Sequence, residues 1–263
     1  MKKVFLRIIQ ALLSFRVFRK LVKIFFWEYN KRDQKIVCKK ISPGKKILRG
    51  PFKGVQYASF NSAGSSLLAK ILGSYEDELH ETIYSVLHNN YSEIIDVGCA
   101  EGYYAVGFAG KSKAKKIYAF DTDKRAIELC MQNAAVNEVN SKIIPGDFCS
   151  DQTLADFKFT GHGFIFSDCE GYEKTLFNNK NSHNLGTCDM IIEMHHLVHP
   201  DIKEYLQNLF SKSHHIHIIP SRLKFVDDYP ELASIGKEYY RDSIISERDT
   251  RQEWMFLKAK NSI

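Results

Sequence analysis

The chain has 263 residues, 44% of them hydrophobic and 18 of them Phe, enough for one large domain with a sizeable core and an N-terminal extension. Its net charge of +6 conceals two opposed parts: residues 1–53 hold 16 Lys and Arg against only Glu28 and Asp33, a balance of +14, whereas residues 54–263 hold 21 against 29 Asp and Glu, a balance of −8. An acidic main domain argues against a nucleic-acid-binding catalytic face, and six scattered cysteines without a CxxC pair read as reduced core thiols, not as a disulfide or zinc framework.

Residues 1–32 read as helical and basic. Phe5, Ile8, Ile9, Leu12 and Leu13 share one helical face, and Val17, Phe18, Leu21, Val22 and Phe25 share another, with a change of phase near Ser14–Arg16. Arg7, Arg16, Arg19, Lys20 and Lys23 interrupt every apolar run, so no 18-residue uncharged span exists for a transmembrane helix. Arg7 and Gln10 also break the apolar core that a signal peptide needs. Two readings stay open: a helix lying on an anionic membrane surface, and a helix packed on its own domain or on a partner subunit.

Ser42-Pro43-Gly44 and Gly50-Pro51 are turn signals, and short strands over Lys46–Leu48 and Val55–Phe60 would make a hairpin lid. Helices are expected over Ser65–Gly73 and Asp77–Asn89. From residue 92 the pattern alternates strand and helix. Strands are expected over Glu93–Val97, Lys116–Phe120, Lys142–Pro145, Gly163–Ser167, Asp189–Glu193, His215–Ile219 and Glu253–Lys258. Helices are expected over Asp123–Asn137, Tyr172–Asn178 and Asp201–Ser213. The fold expected is α/β: a Rossmann-like, doubly wound, mostly parallel seven-stranded sheet with helices on both faces. The domain organisation expected is a basic helical extension over residues 1–35, a hairpin-and-helix lid over 36–90, and the main domain over 91–263.

The stretch that organises the chain is Ser92 to Val106. Ile94, Ile95 and Val97 around Asp96 read as a strand buried on both faces. Small residues follow at every second position, Gly98, Ala100 and Gly102, and then a helix begins at Tyr103. A strand feeding such a turn is where open α/β sheets bind nucleotides. The spacing departs from G-x-G-x-x-G, and an acid, Asp121, ends the next strand 23 positions beyond Gly98.

Asp-Val-Gly-Cys-Ala-Glu-Gly (96–102), Tyr-Ala-Phe-Asp (118–121) and Gly-Asp-Phe (146–148) together resemble the first three motifs of class I S-adenosylmethionine-dependent methyltransferases. Ser-Asp-Cys-Glu-Gly-Tyr-Glu (167–173) resembles a block of the FkbM-type family, mostly O-methyltransferases of small molecules and glycans. The resemblance covers roughly residues 70–195, with Ala100 where a glycine is usual. It implies S-adenosyl-L-methionine as cofactor, with Gly98, Ala100, Gly102 and Tyr103 beneath its methionine part. It further implies Asp96 toward the amino group, Asp121 on the ribose and Asp147 on the adenine. The Gly73-Ser-Tyr-Glu76 segment looks cofactor-proximal.

The candidates for acceptor chemistry lie at the ends of the fourth and fifth strands: Asp168, Glu193, His195 and His196. A hydroxyl acceptor has to lose its proton, and a His or carboxylate within reach can take it. Alternation along a strand puts Glu193 and His195 on one side and Met194 and His196 on the other, which favours His195 as base over His196. Glu170 is a candidate for fixing the loop by accepting backbone N–H groups. A divalent ion on Asp168, Glu193 and His195 is chemically open, but no metal is assigned. The absence of an Asn/Asp-Pro-Pro-Tyr/Phe block and of a Pro-Cys pair after the fourth strand argues against adenine-amino and cytosine-C5 methylation.

The function expected is therefore O-methylation of a hydroxyl on a small molecule or glycan. The alternatives are a nicotinamide-linked Rossmann oxidoreductase and a non-catalytic, membrane-recruited cofactor-binding module. The partners expected are the acceptor, no nucleic acid, and an anionic membrane surface for residues 1–32. The location expected is cytoplasmic, peripheral at the inner membrane face.

Overall fold

The computed structural model of the protein describes residues 30–239, 241–246 and 252–261. Seven strands form one sheet: β1 (Glu93–Val97), β2 (Lys116–Phe120), β3 (Ile143–Gly146), β4 (Phe164–Ser167), β5 (Asp189–Met194), β6 (His214–Pro220) and β7 (Glu253–Ala259). Their order is β3-β2-β1-β4-β5-β7-β6. Pairing is parallel from β3 through β5, and β7 runs antiparallel between β5 and β6. The expected doubly wound α/β fold is the one observed.

The central strands form where the sequence is apolar on both faces. All five residues of β1, all four of β4 and all six of β5 are buried, as a parallel sheet covered by helices requires. Helices Tyr103–Lys111 and Lys124–Val136 carry the chain from β1 to β2 and from β2 to β3. The connections leave β1 toward β2 on one side while β4 joins it on the other. The strand order therefore reverses at β1 and β4, and a crevice opens beyond their C-terminal ends.

Several elements differ from expectation. Helix Asp151–Asp156 is additional; Ser150 and Thr153 form a capping box that starts it. The expected helix over Tyr172–Asn178 contracts to Glu173–Leu176, because Phe177 turns to extended backbone and is buried in the core. Of the expected lid hairpin, a single bridge forms, Lys46 to Gln56.

Most of residues 1–32 lie outside the described residues. Residues 30–41 are helical and pack on their own domain. Val37 and Cys38 are buried there, Arg241 bridges Asp33 at 2.5 Å, and Gln34 Nε2 donates to the Ile244 carbonyl at 3.2 Å. No helix among the described residues is long and apolar enough to cross a membrane.

Phe52 fastens the segment before β1 to the main sheet. Its ring is fully buried and meets Tyr103, Tyr104 and Phe108 edge-on at 5.3, 5.7 and 5.4 Å. Gly107 makes room for it, since a Cβ there would lie 2.5 Å from the ring. Phe52→Ala is expected to lower stability by about 3–5 kcal/mol in urea denaturation. A loss under about 1 kcal/mol would show that this segment is not integral to the fold.

Candidate functional site

A cavity of about 450 Å³ lies at the crevice. Its floor is the turn after β1. Gly98 and Gly102 have φ of +84° and +86°, and Ala100 has φ of 48°, a left-handed conformation that a residue with a Cβ adopts at a cost. Gly98 is dictated by contact: a Cβ there would lie 1.7 Å from the Asp168 carbonyl oxygen. Gly102 is dictated by packing, with a Cβ falling 2.6 Å from Cys130 Sγ on the next helix. Gly98, Ala100, Tyr103, Asp121, Asp147 and Asp168 line the cavity, whereas Asp96 and Gly102 lie behind its surface.

Asp121 stands at the end of β2. Its Oδ2 accepts from the Ala100 amide at 2.8 Å and its Oδ1 from the Asp123 amide at 2.8 Å. These bonds fix the carboxylate, and its remaining lone pairs stay available to hydroxyl groups in the cavity. Asp96 is buried under the turn, and its Oδ2 has no hydrogen-bond partner. Burial, with the charges of Asp121 and Asp168 adding to it, pushes its carboxyl up to about 8. Phe148 is half exposed and meets Tyr172 at 5.3 Å, so two aromatic rings stand beside Asp147 at the cavity rim.

Sequence reasoning missed the group that braces the opposite wall. Glu101, the fourth residue of the turn, is fully buried and pairs with buried Lys70 at 2.8 Å. It also accepts from Ser62 Oγ at 2.9 Å and the Ala63 amide at 3.0 Å, which fixes the loop that forms the wall. Lys70 lines the cavity, with its ammonium 4.8 Å from the Tyr75 ring centre and 5.8 Å from that of Tyr103. A charged residue inside a small-residue turn was the available signal, but its partner stands 31 residues away.

The ends of β4 and β5 bring Asp168, Glu193 and His195 together. His195 Nε2 lies 3.6 Å from Asp168, 3.6 Å from Glu170 and 3.9 Å from Glu193. Its Nδ1 is held at 2.8 Å by Glu173, which has no solvent exposure. Burial, the largest influence, opposes the imidazolium, but the Glu173 hydrogen bond and the surrounding carboxylates outweigh it and raise the His195 pKa. Asp168 is raised to about 6, chiefly by burial. His196 does not join this group; its Nε2 lies 3.2 Å from Glu253, which Lys203 also bridges. Glu173, not Glu170, organises the loop: it accepts from the amides of Cys169 and Gly171 at 3.2 and 3.4 Å, while the Glu170 side chain is 89% exposed.

A second groove, of about 700 Å³, shares the wall Ala63–Gly64–Ser65 with the cavity. Lys31, Arg32, Lys35, Lys39 and Arg125 line it, against the single acid Asp123.

Residues 77–160 match the family described as "Methyltransferase small domain". Among solved structures the chain is similar to an rRNA methylase from Streptococcus thermophilus (12% identity, 70% of this chain and 97% of that one, TM-score 0.48). It is also similar to precorrin-6y C5,15-methyltransferase from Geobacter metallireducens (11%, 68% and 86%, TM-score 0.48) and to precorrin 8w decarboxylase from Methanobacterium thermoautotrophicum (13%, 67% and 87%, TM-score 0.45). The strand order and the single antiparallel strand β7 make the chain a doubly wound, mostly parallel α/β fold.

Two expectations are corrected. The narrower resemblance to FkbM-type enzymes does not hold, because the family that matches is another one and its match ends before the 167–173 block. The exclusion of nucleic acid does not hold either: it rested on the acidic overall balance of residues 54–263, which conceals the basic groove lined by Lys31, Arg32, Lys35, Lys39 and Arg125. The membrane-surface reading of residues 1–32 falls almost wholly outside the described residues; the helix that follows packs on the domain through Asp33, Gln34, Val37 and Cys38.

Glu101→Ala strands the Lys70 ammonium in the core. It is expected to cost about 3–5 kcal/mol in urea denaturation, with much of the loss recovered in the Lys70→Met/Glu101→Leu double variant. Equal losses in single and double variants would show that the pair is not coupled.

Proposed function

We propose that the protein is a methyltransferase that moves a methyl group from S-adenosylmethionine to a hydroxyl oxygen. The observation that carries this reading is the cavity where the turn after β1, Asp121 at the end of β2 and Asp168 at the end of β4 meet. When bound, S-adenosylmethionine supplies an electrophilic methyl group on a sulfonium. Asp121 is placed to accept from the ribose hydroxyls. Phe148 and Tyr172 offer faces for the adenine, and Asp147 an acceptor for its amino group. The close approach allowed by Gly98, and the backbone held open by Ala100 and Gly102, leave room for the methionine part. Asp96 places a buried carboxyl behind it, with Oδ2 free to accept a hydrogen bond.

Asp168 faces the cavity, with Glu193 and His195 behind it. A hydroxyl set against this group can hand over its proton, and the chain's remaining task is to hold donor and acceptor aligned. This favours an oxygen acceptor on a small molecule or glycan. The basic groove that shares the Ala63–Ser65 wall supports a second reading, in which the acceptor is a polyanion such as RNA. Residues 36–90 act as the lid in either reading. We place the protein in the cytoplasm, where its six free thiols would persist.

Calorimetric titration with S-adenosylhomocysteine is expected to show one site per chain. Asp121→Ala should weaken it about 10- to 100-fold, the loss expected for hydrogen bonds to a charged group. Binding of NADH in place of S-adenosylhomocysteine would overturn the reading in favour of an oxidoreductase.

A further inference from the structure

Asp168, Glu193 and His195 each offer one ligand atom, and these atoms lie within 4.8 Å of one another. Hard carboxylate oxygens with one imidazole are a donor set for Mg²⁺ or Mn²⁺. Two further observations point to a cation. The His195 side chain is nine-tenths buried, and its Nε2 aims into the carboxylates at 3.6 and 3.9 Å, beyond hydrogen-bond length. Asp168 Oδ1 is buried and makes no hydrogen bond. Glu173 completes the arrangement from behind: by holding His195 Nδ1 at 2.8 Å it leaves the Nε2 lone pair facing Asp168 and Glu193, the relation by which a carboxylate orients a metal-binding histidine.

We propose that this cluster is a divalent-cation site, filled by Mg²⁺ or Mn²⁺, on the acceptor side of the cavity. Three protein ligands leave coordination positions open toward the space that Asp168 lines. An acceptor hydroxyl taken up there is polarised by the ion, so its proton leaves to water at neutral pH and its oxygen is held in place. The role in acceptor binding rests on the methyltransferase reading; cation binding does not. Glu173 is a positioning residue that acts through His195.

The test uses the full chain, stripped with chelator and without cofactor, titrated with MnCl₂ and followed by electron paramagnetic resonance. The expected result is one bound Mn²⁺ per chain whose electron-spin-echo spectrum shows coupling to an imidazole nitrogen. His195→Gln should remove that coupling, Asp168→Asn should weaken binding at least tenfold, Glu173→Gln should weaken it about 10- to 100-fold, and His217→Gln should change nothing. No saturable binding, or bound Mn²⁺ without nitrogen coupling in the unaltered chain, would overturn the proposal even where a variant fails to fold. S-adenosylhomocysteine titration of the same chelated protein separates the two claims: cofactor binding without Mn²⁺ binding sinks only the cation site, and the reverse sinks only the methyltransferase reading.

Discussion

The close passage of the turn after β1 against the turn after β4 is the constraint on which the rest of the site depends. Gly98 touches the Asp168 carbonyl where any side chain would collide, and the Asp168 amide donates to the Val97 carbonyl at 2.9 Å. One contact therefore does two things. It lets the backbone floor of the cavity drop low enough to admit a ligand, and it sets the acceptor-side carboxylate at the same edge. From Asp168 the chain runs through a tight loop to Glu173, which returns to hold both that loop and His195.

The second half of the site comes from outside the alternating strand and helix pattern. Helix Leu67–Leu72 brings Lys70 under the loop at Ser62 and Ala63, and Glu101 binds both. A buried ion pair of this kind adds little net stability over an apolar pair, but breaking it is expensive. Here it ties the cavity wall to the turn that forms the cavity floor. Phe52 does the same by packing, so the segment before β1 shares one core with the sheet.

The sheet was legible because its central strands are buried on both faces and carry apolar residues on both, as Ile94, Ile95 and Val97 do around Asp96 and Met190, Ile191, Ile192 and Met194 do around Glu193. Glu193 and His195 do meet, at 3.9 Å, but β5 ends at Met194, so His196 turns to Glu253 from the following turn and strand alternation does not reach it. The short polar helix at Asp151 was not legible from hydrophobic periodicity, since only Leu154 in it is buried. Nor was the docking of residues 30–41, whose partners stand about two hundred positions away at Arg241 and Ile244. Glu170 and Glu173 could not be told apart from sequence. Which of them holds the loop depends on the backbone turning through positive φ at both Glu170 and Gly171. The FkbM-type resemblance failed for a related reason: a seven-residue block records a loop conformation, and such a loop can recur in other families that share the fold.

The central claim is that the cavity beyond β1, β2 and β4 receives S-adenosylmethionine. Its most direct test is hydrogen–deuterium exchange with and without saturating S-adenosylhomocysteine. The account predicts slowed exchange at amides 98–104, 121–123 and 147–149, with β6 and β7 unchanged. Protection absent from those three segments, or confined to the basic groove around residues 31–39, would contradict it.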